Sequence, residues 1–215
     1  MHVPASSPPR PPRGFSLIEI LLVLSIASIL MTLSVSSVQK MIHSTDLTSS
    51  AVTVVDAFNL ARQQALSSNH PVEVRVYKVP PKNGTSLSGS SAFRALGVYQ
   101  INENGPQLVN KLIYLNGNTE IAATQSFGTL LFYAPSLTAS LPGVASNSPC
   151  EYRSFQYHPD GSTDLNPQPP SASDTWHVMI YNADKPPTDS MPPANYISVQ
   201  LDPVSGRTET FQPGM

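Results

Sequence analysis

The strongest pattern in the chain is an apolar run near its amino terminus that contains one acidic residue. From Phe15 to Val38 the run counts 24 residues, and Glu19 is the only charged residue between Arg13 and Lys40. About 20 apolar residues in a helix are enough to cross a bilayer. The pattern therefore predicts a membrane-spanning helix over residues 15–38. A carboxylate inside such a span is costly unless it has a partner, so Glu19 is a candidate functional residue.

A second apolar pattern follows and has the period of an amphipathic helix. Its apolar positions are spaced by four and three residues; they are Leu47, Ala51, Val54, Phe58, Ala61 and Ala65. Neither proline nor glycine occurs between Phe15 and Ser68, and Pro71 disfavours a helical conformation for the residue before it. We therefore expect the helix to continue through residues 39–70, with this second part packed on a sheet.

Beyond residue 70 the pattern changes to the two-residue alternation of strands. Val72-Glu73-Val74-Arg75-Val76 alternates apolar and polar residues, as a half-buried strand does. Further strands are predicted over residues 95–101, 107–115, 128–133, 152–157, 176–181, 196–201 and 207–211, whereas residues 82–91 and 135–149 are predicted to be loops. One long helix followed by strands predicts an α+β fold, with the helix packed on antiparallel β-sheets and residues 71–215 forming a β-rich globular domain.

Composition fits a loop-rich domain outside the cytoplasm. Charged residues make up only 12% of the chain, which has 22 prolines among its 215 residues. The 12 Lys and Arg residues against 14 Asp and Glu residues give a net charge of −2. The sequence has no basic stripe of the kind that nucleic-acid binders carry, so we expect no nucleic-acid partner.

The residues around Glu19 match a known motif. Gly14-Phe15-Ser16-Leu17-Ile18-Glu19, with Arg13 upstream, resembles the cleavage and methylation motif of type IV prepilins and type II secretion pseudopilins. The resemblance implies that a prepilin peptidase cuts between Gly14 and Phe15, removes residues 1–14 as a leader and methylates the new amino terminus at Phe15. It implies that the fold is that of a type IV pilin and that Glu19 assists assembly. A spacing of four residues places Phe15 and Glu19 on one helix face, where Glu19 could neutralise the amino terminus of a neighbouring subunit.

Two other interpretations of the apolar run stay open. A secretory signal peptide has an apolar core of about 7–15 residues that ends in a small-residue cleavage site. Here the run is longer, and Ser34-Val35-Ser36 is a poor cleavage site. An uncleaved membrane anchor explains the length of the run but leaves Gly14 and Glu19 without a role.

Residues in the soluble part narrow the resemblance. They are similar to segments of H-type minor pseudopilins and their pilus-tip relatives, and comprise residues 58–66 and 69–72, Phe155-Gln156-Tyr157-His158-Pro159-Asp160-Gly161 and Val204-Ser205-Gly206-Arg207. The chain also resembles the prepilin-like proteins of the Verru_Chthon cassette type, whereas its proline-rich insertions depart from the compact family members.

No group of residues in the sequence points to catalysis. None of the five histidines has the spacing of a metal-ligand pair, and the single cysteine, Cys150, cannot form an intramolecular disulfide. Cys150 is interpreted as a small, partly buried residue, with an intermolecular bridge or a free thiol as alternatives. Asp160, Asp164 and Asp174 offer oxygens for a calcium loop, although solvated turn residues explain them more simply. We expect a protein that is not an enzyme and has no cofactor or metal.

Together these patterns predict a prepilin-like structural subunit, a minor pseudopilin of a type II secretion pseudopilus. It would cross the bacterial inner membrane once, expose its globular domain to the periplasm and assemble with other pilin or pseudopilin subunits into a pseudopilus or pilus. A minor type IV pilin for adhesion, motility or DNA uptake is the alternative within the same class. A membrane-anchored extracytoplasmic domain that binds a ligand or is an enzyme is the alternative outside it.

Overall fold

A computed structural model of the chain describes six stretches of residues. These are residues 15–83, 86–87, 91–141, 149–170, 175–188 and 191–213; within them, the side chains of residues 32–43, 82–83 and 86–87 are not described. The chain divides into two compact units, Met1–Met41 and Ile42–Met215. The predicted leader, residues 1–14, lies outside the described residues.

One helix, α1 (Leu17–Ser68), opens the described chain and contributes residues to both units. It begins after Ser16, whose carbonyl accepts a hydrogen bond from the Glu19 N–H at 3.0 Å. It ends before Asn69, which has a positive φ of 55° and donates its N–H to the Ala65 carbonyl at 3.1 Å. A residue in this left-handed conformation is a common helix end. The helical periodicity and the following proline therefore predicted both the helix and its end.

Twelve strands and one short helix follow α1 within the described residues. The strands are β1 (Val72–Val79), β2 (Lys82–Asn83), β3 (Ser86–Leu87), β4 (Ala92–Asn102), β5 (Gly105–Leu108), β6 (Ile113–Tyr114), β7 (Thr119–Ile121), β8 (Leu137–Ala139), β9 (Cys150–Tyr157), β10 (His177–Asn182), β11 (Tyr196–Leu201) and β12 (Thr208–Phe211). The short helix α2 (Thr129–Tyr133) lies between β7 and β8.

Ten of these strands form one antiparallel sheet. The strand order is β12-β11-β10-β7-β4-β1-β9-β8, and β5 and β6 also pair with β4. Strands β2 and β3 form a separate two-stranded hairpin. A long helix together with an antiparallel sheet confirms the predicted α+β class.

The main core of the second unit lies between α1 and one face of the sheet. All six positions of the predicted apolar stripe on α1 are buried, with no residue more than 4% exposed; they are Leu47, Ala51, Val54, Phe58, Ala61 and Ala65. They belong to the same core as Val72, Val74 and Val76 of β1. The rings of Phe58 and Phe155 meet edge to face, with centroids 5.2 Å apart. The prediction that this part of the helix packs on the sheet is thus confirmed.

The other face of β1 holds a buried ion pair, and here the expectation of a half-buried strand was wrong. Arg75 donates through Nε at 2.8 Å and Nη2 at 2.6 Å to Glu73 Oε2, and the two side chains are 12% and 8% exposed. The guanidinium lies over the rings of Tyr99 and Tyr152, at 4.3 and 4.8 Å from their centroids. Because β1 lies inside the sheet and tyrosines of β4 and β9 cover this face, both of its faces are buried.

Several strand predictions differ from the structure. Residues 128–133 were predicted as a strand but form α2, in which the Phe132 N–H bonds to the Gly128 carbonyl at 2.9 Å. A short apolar run does not distinguish a buried strand from a buried helical turn. The predicted strand over 107–115 is divided into parts of β5 and β6, and β2, β3 and β8 lie in segments predicted as loops. Strands β2, β3, β6 and β8 have only two or three residues, which is too few for alternation to be visible.

Two turns that include the segments His158–Gly161 and Val204–Arg207 lie against the end of α1. Arg62 on α1 donates from Nε to the Ser205 carbonyl at 2.9 Å. Gly206 has a positive φ of 66°, and a Cβ atom there would lie 2.1 Å from the Gly161 carbonyl oxygen. The two segments with family resemblance therefore share one packing role, because they join the last strands to α1.

Candidate assembly segment at the amino terminus

Phe15 and the amino-terminal part of α1 expose an unusually large apolar surface. Twelve large apolar residues are between 50% and 81% exposed; they are Phe15, Leu17, Ile18, Ile20, Leu21, Leu22, Val23, Leu24, Ile26, Ile29, Leu30 and Met31. Burying one such side chain stabilises by about 1.5–3 kcal/mol, so covering all twelve is worth roughly 20–35 kcal/mol as an upper estimate. A contiguous exposed apolar surface of this size marks a contact with a membrane or with other proteins.

Glu19 lies within this apolar surface and is exposed. In the part of the chain that the structure describes, no hydrogen bond or ion pair engages its side chain. An isolated carboxylate is expensive to remove from water unless it is neutralised or paired. Whatever covers the surrounding apolar side chains must therefore also supply a proton or a cationic group to Glu19.

The serine hydroxyls of the same segment need no external partner. Ser25 donates from Oγ to the Leu22 carbonyl at 2.7 Å, and Ser28 donates to the Ser25 carbonyl at 2.8 Å. Such bonds to the preceding helical turn satisfy the hydroxyl donors within the helix. Among the side chains described between residues 17 and 31, Glu19 is therefore the only polar group that needs an external partner when the segment enters an apolar environment.

The three predicted site residues have different positions in the structure. Phe15 is exposed and lies two residues before α1 begins, so its alignment with Glu19 on one helix face stays a prediction. Glu19 lies in the first turn of α1. Gly14, on the other side of the predicted cleavage point, lies outside the described residues.

Among the side chains that the structure describes, no helix offers a stretch that is both long and apolar enough to cross a membrane. The predicted span over residues 15–38 includes residues 32–38, whose side chains lie outside that set.

The candidate calcium residues are engaged in local hydrogen bonds. Asp160 accepts bonds from the Ser162 N–H at 2.9 Å and hydroxyl at 2.6 Å, and the hydroxyl bond lowers the pKa of this carboxyl. Asp164 accepts the Gln156 N–H at 2.8 Å, and burial raises its pKa. Asp174 lies outside the described residues, and among the described ones no three His, Cys, Asp or Glu side chains are grouped to hold a metal ion.

Cys150 begins β9 opposite Ala139 of β8. It is half-buried and free, and it packs against the small core that contains Tyr77 and Tyr152. This position agrees with its interpretation as a small, partly buried residue.

A cavity of about 710 Å³ opens beside the turn segments and includes Arg62 and Trp176 in its lining. One of its acidic residues, Asp202, accepts the Val204 N–H at 2.9 Å, and the Trp176 indole donates to the Asn166 carbonyl at 2.7 Å. These two polar groups of the lining are therefore engaged by nearby protein groups.

In a comparison with known protein families, the amino-terminal segment matches one family model. Residues 10–35 match the prokaryotic N-terminal methylation motif. No curated protein is significantly similar to the chain in sequence.

Two solved structures of the minor pseudopilin EpsH from the type II secretion system of Vibrio cholerae are similar to this chain, each at 12% identity. One match covers 79% of this chain and 99% of that one, with a TM-score of 0.41. The other covers 80% and 97%, with a TM-score of 0.42. These values are too low for the likeness to support a conclusion about function. The methylation motif, in contrast, contains the exposed apolar residues 15–31 and Glu19, and this match is what the comparisons establish for the amino-terminal segment.

Proposed function

We propose that this chain is a prepilin-like structural subunit, a minor pseudopilin of a type II secretion pseudopilus. In this proposal a prepilin peptidase cuts after Gly14 and methylates Phe15. Residues 15–38 hold the subunit in the inner membrane, and residues 71–215 form its periplasmic domain. The observation that supports the proposal is the methylation motif, whose residues 17–31 form an exposed apolar stretch of helix with a carboxylate, Glu19, that lacks a partner in the described chain.

The mechanism is mechanical. The subunit is extracted from the bilayer, and its apolar segment is buried again against the helices of other subunits. The new amino group at Phe15 of one subunit pairs with the Glu19 carboxylate of its neighbour, so that both charges are neutralised away from water. Removing one partner of such a buried pair costs about 3–5 kcal/mol, which is enough to prevent stable assembly.

Processing is tested by measuring the amino-terminal residue and mass of the mature protein with and without a co-expressed prepilin peptidase. We expect a protein that starts at Phe15 and is heavier by one methyl group, and only with an active peptidase. An inactive peptidase variant is the matched control. An intact leader would identify an anchored domain, and a cut near Ser36 would identify an exported protein; either result refutes the proposal.

Assembly is tested with Glu19→Ala. We expect normal cleavage after Gly14 and a loss of at least about tenfold in filament incorporation, because the charge of the neighbouring amino terminus stays unpaired. Glu103→Ala is the matched control, since it removes an exposed acidic residue from the globular domain. Incorporation of Glu19→Ala at the level of this control would contradict the assigned role.

A further inference from the structure

A closed ring of three hydrogen bonds joins α1 to the loop between β6 and β7. The Asn116 N–H donates to Ser50 Oγ at 2.9 Å, and the Thr119 hydroxyl donates to the Asn116 carbonyl at 2.7 Å. The two hydroxyl oxygens lie 2.7 Å apart, and either can be the donor. When the Thr119 proton is on the Asn116 carbonyl, Ser50 donates to Thr119, and each hydroxyl donates once and accepts once. Ser50 Oγ also lies 3.4 Å from the Asn116 carbonyl oxygen, and both Ser50 and Thr119 are fully buried.

Two further contacts reinforce this ring. The Asn116 side-chain amide donates to Ser49 Oγ at 2.7 Å. Gly117 has a positive φ of 56° and lies so close to α1 that a Cβ atom there would be 2.2 Å from an Asp46 carboxylate oxygen. We call Asp46, Ser49 and Ser50 of α1, together with Asn116 and Gly117 of the loop and Thr119 at the start of β7, the polar clamp.

The polar clamp lies at the point where α1 first becomes buried in the second unit. Leu47 is the first side chain of α1, in chain order among those described, to belong to the core. On the loop side, Thr119 is the first residue of β7 and pairs with Asn182 of β10. Two residues further along β7, Ile121 pairs with Phe93 of β4. The polar clamp therefore connects the start of the buried helix to the middle of the sheet.

We propose that the polar clamp is the force-bearing joint between α1 and the globular domain. This inference rests on the proposed function, in which the subunit is pulled out of the membrane by its amino-terminal helix. Such a pull enters the second unit from the amino-terminal side and reaches the polar clamp together with Leu47, before Ala51 and Val54. While the ring holds, the load passes to the sheet. Once it breaks, the buried side chains detach from the sheet one after another.

The test is to pull the full chain in detergent micelles, tethered at its amino and carboxyl ends, and to record the first detachment event. Ser50→Ala and Thr119→Val each open the ring. Ser50→Ala leaves the Asn116 N–H without its acceptor, and Thr119→Val leaves the Ser50 hydroxyl only its longer 3.4 Å contact with the Asn116 carbonyl. We expect either change to speed the first detachment at fixed force by about fivefold to 150-fold. The later unfolding of the sheet should change by a smaller factor.

Two further variants are controls. Thr53→Ala removes a hydroxyl whose one hydrogen bond within the described residues is to the Ser49 carbonyl on α1, at 2.8 Å, and it should leave the first detachment unchanged. Thr119→Ser keeps the hydroxyl of the ring and should retain most of the wild-type resistance.

An unchanged first detachment in Ser50→Ala, or equal acceleration of all unfolding steps, overturns the inference. The proposed function is tested independently by measuring cleavage after Gly14, because this cleavage does not depend on the polar clamp.

Discussion

The Glu73–Arg75 pair offers the sharpest test of how this sheet is held together. Burial opposes the positive charge of Arg75, but the hydrogen bonds and the charge of Glu73 outweigh it and hold the pKa of the guanidinium above its ordinary value. Glu73→Gln leaves this cation buried beside a neutral amide. Breaking a fully buried ion pair costs about 3–5 kcal/mol. Arg75 keeps the faces of Tyr99 and Tyr152, contacts worth about 1–2 kcal/mol, so we expect a net loss of about 1–4 kcal/mol.

The coupling energy between Glu73 and Arg75 is measured by a double-mutant cycle of Glu73→Gln, Arg75→Met and both changes together. Urea unfolding of the full chain in detergent micelles, followed by the fluorescence of its single tryptophan, gives each free energy of unfolding. We expect a coupling energy of about 2–3 kcal/mol, because the double variant leaves no buried charge unpaired.

The matched control is a second ion pair that uses the same strand. Lys78 lies 3.2 Å from Glu151, and their side chains are 42% and 28% exposed. The cycle of Lys78→Met and Glu151→Gln should give a coupling of about 0.2–1 kcal/mol, as is usual for exposed pairs. If the Glu73–Arg75 coupling were no larger than this value, the argument from burial would be refuted.

Three further predictions use the same unfolding assay. Phe58→Ala should destabilise by about 3–5 kcal/mol, because it empties the contact with Phe155 in the main core, and a loss below about 1 kcal/mol would contradict that packing. Gly206→Ala should cost clearly more than Gly105→Ala, since both glycines have positive φ but only at Gly206 would the new Cβ meet another atom; equal losses would exclude the clash. Hydrogen bonds from the Val204 N–H and the Ser205 hydroxyl lower the pKa of Asp202, so stability should be lost as the pH falls below about 4 towards this lowered value. Asp202→Asn should reduce the loss of unfolding free energy between about pH 6 and about pH 3. If the variant and the wild type had the same pH dependence, Asp202 would not contribute to it.

The predictable parts of the fold are those determined by nearby residues. The helical spacing from Leu47 to Ala65 identified the buried face of α1, and Pro71 identified its end. The longer strands β9 and β11 were predicted because each contains several alternations of apolar and polar residues. The amino-terminal motif was equally local, since Gly14, Phe15 and Glu19 lie within six consecutive positions.

The parts that could not be predicted depend on residues far apart in the chain. Ser50 and Thr119 are separated by 69 positions, and nothing in their local sequences indicates that their hydroxyls meet. The burial of Glu73 and Arg75 depends on tyrosines from two other strands. The alternation of β1 alone therefore predicted, wrongly, that these charged side chains face solvent. The error at α2 has a different cause, because an apolar run of five residues fits a helical turn as well as a strand.

The two parts of α1 differ in where their polar groups find partners, and this difference determines what must cover the first part. In the second part, Ser50 is buried and satisfied by groups of the same chain. In the first part, Glu19 has no partner among the described residues, although twelve apolar side chains around it require cover. Lipid tails cover apolar side chains but cannot neutralise a carboxylate, so the membrane alone leaves Glu19 either protonated or close to the headgroups. In the proposed assembly, a neighbouring subunit with a free amino terminus would supply both the apolar surface and the cation. The exposed apolar side chains and the unpaired Glu19 of this segment agree with that proposal.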